Sequence, residues 1–132
     1  MISVGLNHLA MSFPEGTLTG EFRAEVRRFY GAHLGWAEID RLELPDRMTM
    51  AAGGATYVNL RERADAMVCH GYEHLGVTVR SAAEADSLWE ALAASDRDVE
   101  LGEMNRGDDG FRSFRFRYLF PMAVEVQYFP AE

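Results

Sequence analysis

The chain has 132 residues, 48% hydrophobic and 26% charged, enough for one compact domain with its own core. Its formal net charge of −8 excludes a nucleic-acid surface built on clustered Lys and Arg; an acidic surface keeps a chain dissolved or attracts a cation. No apolar run is long enough to cross a bilayer, so no membrane partner is expected, and a single cysteine, Cys69, permits no intrachain disulfide and points to a reducing cytoplasm.

The start of the chain, Met1-Ile2-Ser3-Val4-Gly5-Leu6, lacks the basic stretch of a signal peptide and passes directly into strand-like alternation. In the first strand Leu9, Met11 and Phe13 share one face, and His8, Ala10 and Ser12 share the other. A helix follows over residues 19–34, because Phe22, Val26, Phe29 and Tyr30 recur on one face of a 3.6-residue period, and Gly35 stops it. Three strands come next, at 37–44, 47–51 and 55–61, with Gly53-Gly54 as the turn between the last two.

The pattern then repeats. His70 precedes a strand in which Tyr72, His74, Gly76 and Thr78 oppose Leu75, Val77 and Val79. Ser81 and Glu84 form a capping-box pattern that opens a helix over 82–94, with Ala85, Leu88, Trp89 and Leu92 as its buried stripe and Ser95-Asp96 as its end. Strands at 99–104, 111–118 and 122–129 complete the chain, with the turn Gly107-Asp108-Asp109-Gly110 between the first two. Residues 7–13 line up with 73–79, and residues 55–60 with 123–128, so Tyr57 stands opposite Glu125 in the repeat. His8 to Tyr57 spans 49 residues, and His74 to Glu125 spans 51.

In three of these strands one face is bulky and apolar and the other is small or polar, and the second face carries His8, His74 and Glu125. Two imidazoles and a carboxylate form a first-row metal set; with open positions they suit Fe2+ first, and Zn2+, Mn2+ or Ni2+ also. A lone strand histidine serves as well as a hydrogen-bonded filler, but three such residues at repeat-related positions favour ligands. Arg115 and Arg117 alternate with Phe114, Phe116 and Tyr118; they offer bidentate donors to an anion or stand as a solvated face.

His8-Leu9-Ala10-Met11, Phe29-Tyr30 with Leu34-Gly35-Trp36, His74-Leu75-Gly76-Val77-Thr78-Val79 and Val124-Glu125-Val126-Gln127-Tyr128 together resemble the vicinal oxygen chelate superfamily of glyoxalase I, bleomycin-resistance proteins and extradiol dioxygenases, over nearly the whole chain. The resemblance implies an α+β fold, one domain of two βαβββ modules at about 1–68 and 69–132, whose mixed sheets curl around a shared cavity. It also implies metal ligands on the first and last strands of the modules, which are His8, Tyr57, His74 and Glu125 here. Glyoxalase-like members have a carboxylate where this chain has Tyr57, and a phenol with a pKa of about 10 is a poor ligand at neutral pH. The remaining three-ligand set resembles the extradiol dioxygenases and implies a small substrate that chelates the metal through adjacent oxygens. The family's Asp-Pro-x-Gly turn before the last strand is replaced by Arg117-Tyr118-Leu119-Phe120-Pro121-Met122.

Tyr57, His70, Tyr72 and Tyr118 are the acid/base candidates, and Asn59, Tyr118 and Gln127 join Tyr57 and Tyr72 as cavity walls. Three other readings stand beside the dioxygenase: a metal-free antibiotic-binding protein of the bleomycin-resistance type, a glyoxalase-type lyase or isomerase, and a regulatory member that keeps the fold without the chemistry. A homodimer is expected, since relatives complete their cavities by pairing modules within or between chains.

Overall fold

The computed structural model describes residues 1–131. Its contacts divide the chain into two compact units, Met1–Val68 and Cys69–Glu132. No helix among the described residues is long and apolar enough to cross a membrane.

The first unit comprises β1 (His8–Phe13), α1 (Gly20–Leu34), β2 (Ala37–Glu38), β3 (Arg47–Ala51) and β4 (Tyr57–Glu62). Its sheet has the order β1-β4-β3-β2, with β1 and β4 parallel. The Thr19 hydroxyl accepts the Phe22 N–H at 3.2 Å and so satisfies a donor of the first helical turn. Gly35, at φ 70°, ends α1 in a left-handed conformation that a side chain would strain. Val26, Phe29 and Tyr30 of α1 are buried, as are Met11, Phe13, Met48, Met50, Val58 and Leu60 of the sheet; each such burial contributes about 1.5–3 kcal/mol. Phe22 meets Phe13 edge-on at 5.6 Å, and Tyr30 stacks on Trp36.

The strand expected over 37–44 is shorter than its pattern. Ala37–Glu38 pairs with β3, Asp40–Leu42 forms a 3-10 turn, and Leu44 bridges to Arg47 of β3. The segment beyond the turn is tied down by Arg23, a charged residue on the buried side of α1. Its guanidinium donates to the carbonyls of Leu18, Leu44, Pro45 and Arg47 and to the Glu43 carboxylate. The Leu44 carbonyl is shared between this side chain and the Arg47 N–H, the Pro45 carbonyl accepts from the side chain, and Pro45 has no N–H to offer a neighbouring strand.

The second unit comprises β5 (His74–Thr78), α2 (Ala82–Ala93), β6 (Glu100–Leu101), β7 (Asn105–Arg106), β8 (Arg112–Arg117) and β9 (Ala123–Tyr128). The sheet order is β5-β9-β8-β6, β7 also pairs with β8, and β5 and β9 are parallel. The Ser81 hydroxyl accepts the Glu84 N–H at 3.0 Å as the capping pattern requires, but Glu84 reaches past Ser81 to the Arg80 N–H at 2.7 Å. Ala85 and Leu92 are buried, whereas Leu88 and Trp89 are only half-buried. The Trp89 indole N–H instead donates to the Gly102 carbonyl at 2.9 Å. The strand expected over 99–104 is β6 and β7 instead, separated by a one-residue shift of register against β8: Leu101 pairs with Phe116 and Asn105 with Ser113.

Register corrects one equivalence in the repeat. His8 pairs with Tyr57 and Ala10 with Asn59; His74 pairs with Ala123 and Gly76 with Glu125. The counterpart of Glu125, two residues beyond each histidine's own partner, is therefore Asn59, not Tyr57.

Candidate functional site

In the second unit, strand parity puts Leu75, Val77, Phe114, Phe116, Val124 and Val126 on the apolar face, where the last four are fully buried. The opposite face carries His74, Gly76 and Thr78 of β5, Ala123, Glu125 and Gln127 of β9, and Ser113, Arg115 and Arg117 of β8. Gly76 and Ala123 leave space beside the two candidate side chains of this face, His74 and Glu125.

His74 Nδ1 lies 2.7 Å from the Tyr72 carbonyl oxygen. A carbonyl only accepts, so Nδ1 carries the hydrogen and Nε2 of the neutral ring presents its lone pair. Glu125 Oε2 lies 3.4 Å from Nε2. Glu125 is held from the other side: Arg115 stands opposite it across β8 and β9, and its Nε donates to Oε1 at 3.4 Å. The Arg115 guanidinium also lies over the exposed Tyr72 ring, 5.6 Å from its centre, and Tyr72 in turn meets His74 edge-on. Two electron-pair donors thus face each other, each oriented by a partner on its far side, as the outer partners of a metal site orient its ligands.

A cleft of about 400 Å³ on this face is lined by Gly102, Glu103, Asn105, Arg115 and Glu125. A neighbouring one of about 390 Å³ includes Glu73, Glu100, Arg115, Arg117 and Ala123 in its walls. Arg117 is committed there: it grips both carboxylate oxygens of Glu100 at 2.9 and 3.0 Å, and these bonds hold the Glu100 carboxyl below its usual range.

The first unit repeats part of this chemistry. His8 Nδ1 lies 2.7 Å from the Asn7 side-chain oxygen, which again leaves the Nε2 lone pair unused. The His8 ring stacks on Tyr57 at 4.8 Å with only 5° between the planes, as their pairing across β1 and β4 dictates. Asn59 accepts from the buried Thr49 hydroxyl at 3.1 Å, so an amide and a hydroxyl stand where the second unit has Glu125 and Arg115.

The other expected residues are spread more widely. His70 is exposed in the loop before β5, where its backbone N–H donates to Glu73. Tyr118 follows β8 and is half-buried, and Gln127 lies on β9 between Thr78 and Ser113. Among the described residues no group of three or more His, Cys, Asp or Glu side chains is gathered to hold a metal; His74 and Glu125 form a pair, and His8 belongs to the other unit. The Arg115–Glu125 contact was missed as a feature of the site. Its sequence signal is the β8–β9 hairpin, which sets residues 115 and 125 side by side on the face of His74.

No protein-family model matches the chain, and no curated protein does either. Solved structures do. A protein assigned to the glyoxalase family from Bacillus anthracis aligns with a TM-score of 0.68 at 17% identity, covering 96% of each chain. The fosfomycin resistance protein FosX from Listeria monocytogenes, complexed with Mn(II) and sulfate, aligns at 0.71 and 19%, covering all of this chain and 94% of its own. FosX from Mesorhizobium loti aligns at 0.69 and 14%, covering 98% and 95%. With two α+β modules of this topology and neighbours that match over their full lengths, the chain has the fold of the vicinal oxygen chelate superfamily.

Proposed function

We propose that this chain is a divalent-metal-dependent enzyme acting on a small substrate that chelates the metal through two adjacent oxygens. The observation that carries this reading is the His74–Glu125 pair. Two lone-pair atoms 3.4 Å apart repel unless a cation or a proton lies between them. Donors each about 2.0–2.2 Å from one first-row ion lie at most about 4.4 Å apart, so this spacing suits a shared ion. We also assign His8 as a metal ligand, on its repeat-related position and the same Nδ1 anchoring. A bound ion would supply Lewis acidity and a template for the substrate oxygens. The chain's own residues do the rest: the Tyr72 carbonyl fixes the His74 tautomer, Arg115 holds Glu125, and Gly76 and Ala123 leave room. Tyr72, edge-on to His74, and Tyr57, stacked on His8, are the acid/base candidates closest to the ligands.

Extradiol-type dioxygenation with Fe2+ is the reaction that a three-ligand set permits. The likeness to FosX supports a second reading with Mn2+ and no redox step, since a Listeria FosX variant is complexed with Mn(II) and 1S,2S-dihydroxypropylphosphonic acid, a molecule with two adjacent hydroxyls. A glyoxalase-type reaction is less well supported, because Asn59 occupies the position of the further carboxylate. The experiment is a catechol titration of protein without metal, with Mn2+, and with Fe2+ under argon and then air. Catechol binding only after metal loading is expected, and oxygen uptake with Fe2+ alone identifies the dioxygenase. Equal binding without metal contradicts the proposal and favours a metal-free binding protein of the bleomycin-resistance type. We also assign a homodimer; a monomeric mass at micromolar concentration contradicts that.

A further inference from the structure

We propose that Arg115 is the anion-reading residue of this site, so that the substrate carries a carboxylate or a phosphonate-type oxyanion beside its chelating oxygens; this rests on the metal reading above. Three arginines lie on β8, and two of them meet protein acceptors through two of their three nitrogens. Arg112 donates to Asp86 and to the carbonyls of Gly110 and Phe111, and Arg117 is locked to Glu100. Among the described residues Arg115 meets a protein acceptor only through Nε, at Glu125. A guanidinium has five N–H donors in a planar fork, so the four on Nη1 and Nη2 remain for a ligand.

Their position makes them a reader and not a surface charge. Arg115 lines both clefts of the second unit and shares the first with Glu125. The guanidinium also lies over the Tyr72 ring, 5.6 Å from its centre. The chain is acidic overall, and Glu73, Glu100, Glu103 and Glu125 also line these clefts. A dianion without a specific donor would be repelled there, so the fork discriminates where the net field does not. A carboxylate or phosphonate matches two parallel N–H donors; a neutral chelator leaves them unused.

The test has two arms. The first uses Mn2+-loaded protein and compares catechol with 3,4-dihydroxybenzoate and 3,4-dihydroxyphenylphosphonate, which add a carboxylate or a phosphonate to the same chelating edge. The wild type should prefer at least one anionic form by about tenfold or more, as charge-assisted bidentate bonds of about 1.4 kcal/mol or more require. Arg115→Gln should remove the preference, Arg115→Lys should keep part of it by charge alone, and Arg117→Gln should leave it in place. A preference that survives Arg115→Gln, or none in the wild type, overturns the proposal. The second arm needs no metal. Methylphosphonate and acetate are titrated into metal-free protein while the Arg115 side-chain Nε–H resonance is followed. Saturable shifts in the wild type, and none at the rest of the cleft in a folded Arg115→Gln protein, support the anion site even if Mn2+ fails to bind. Absence of saturable shifts with both anions overturns it, and the responding anion separates phosphonate from carboxylate.

Discussion

Replacing His74 by Ala separates the site from the fold. The ring makes one hydrogen bond to the Tyr72 carbonyl, one contact with Glu125 and one edge-on contact with Tyr72. A net hydrogen bond is worth about 1 kcal/mol and an aromatic pair about 0.5–1.5 kcal/mol, so the loss should be about 1.5–2.5 kcal/mol. Leu75 and Val77, on the apolar face, are unaffected. Metal acts differently. At one hundred times its dissociation constant a ligand stabilises the folded state by about 2.7 kcal/mol, which for a domain of this size is roughly 10 °C in Tm. The assay is thermal unfolding with and without excess Mn2+. The wild type should melt roughly 10 °C higher with metal, and His74→Ala should melt at one temperature in both. A His74→Ala protein that is stabilised by Mn2+ as much as the wild type would refute the assignment of His74 as a ligand.

Asn59→Glu should tighten Mn2+ binding in a calorimetric titration, and Tyr57→Glu should not, because register makes Asn59 the counterpart of Glu125; the reverse order would contradict the repeat as paired here. Arg23→Leu should lower stability by about 2–4 kcal/mol in denaturant titration, since it strips donors from four buried or half-buried carbonyls; a change within about 0.5 kcal/mol would show that the carbonyls find water instead. The bonds from Arg117 to Glu100 depress the Glu100 carboxyl below the ordinary 4.5. A depressed carboxyl contributes stability that is present above its unfolded value and lost as pH falls through the folded one, so the Arg117 Nε–H resonance should titrate with a midpoint below 4.5. A midpoint at or above that value would contradict the ion pair.

The sequence made the helices and strand faces legible because each is a local matter of period: Val26, Phe29 and Tyr30 at helical spacing, Val124 and Val126 at alternate positions. It brought His74 and Glu125 to one face of one sheet by the same parity. The pairing of Tyr57 with Glu125 failed for an equally local reason. Alternation has a period of two, so a slip of two residues preserves every face and leaves the pattern match intact. Only the hydrogen-bonded register distinguishes Tyr57 from Asn59. The interruption after β2 was illegible because the segment beyond it is tied down from far off in sequence, by Arg23, whose charge in the first turn of α1 reads as a solvated position until the loop of residues 43–47 closes over it. Trp89 misled in a similar way: its ring fits a buried stripe, but it is half-buried and its N–H donates to the Gly102 carbonyl.

The central claim is that His74 and Glu125 are two ligands of one divalent ion. Its most direct test is the metal content of protein prepared without chelator and dialysed against Mn2+, and against Fe2+ under argon, measured for the wild type, His74→Ala and Glu125→Gln. The account predicts one bound ion per chain in the wild type with at least one of these metals and none in either variant; no bound ion in the wild type, or one retained by both variants, would contradict it.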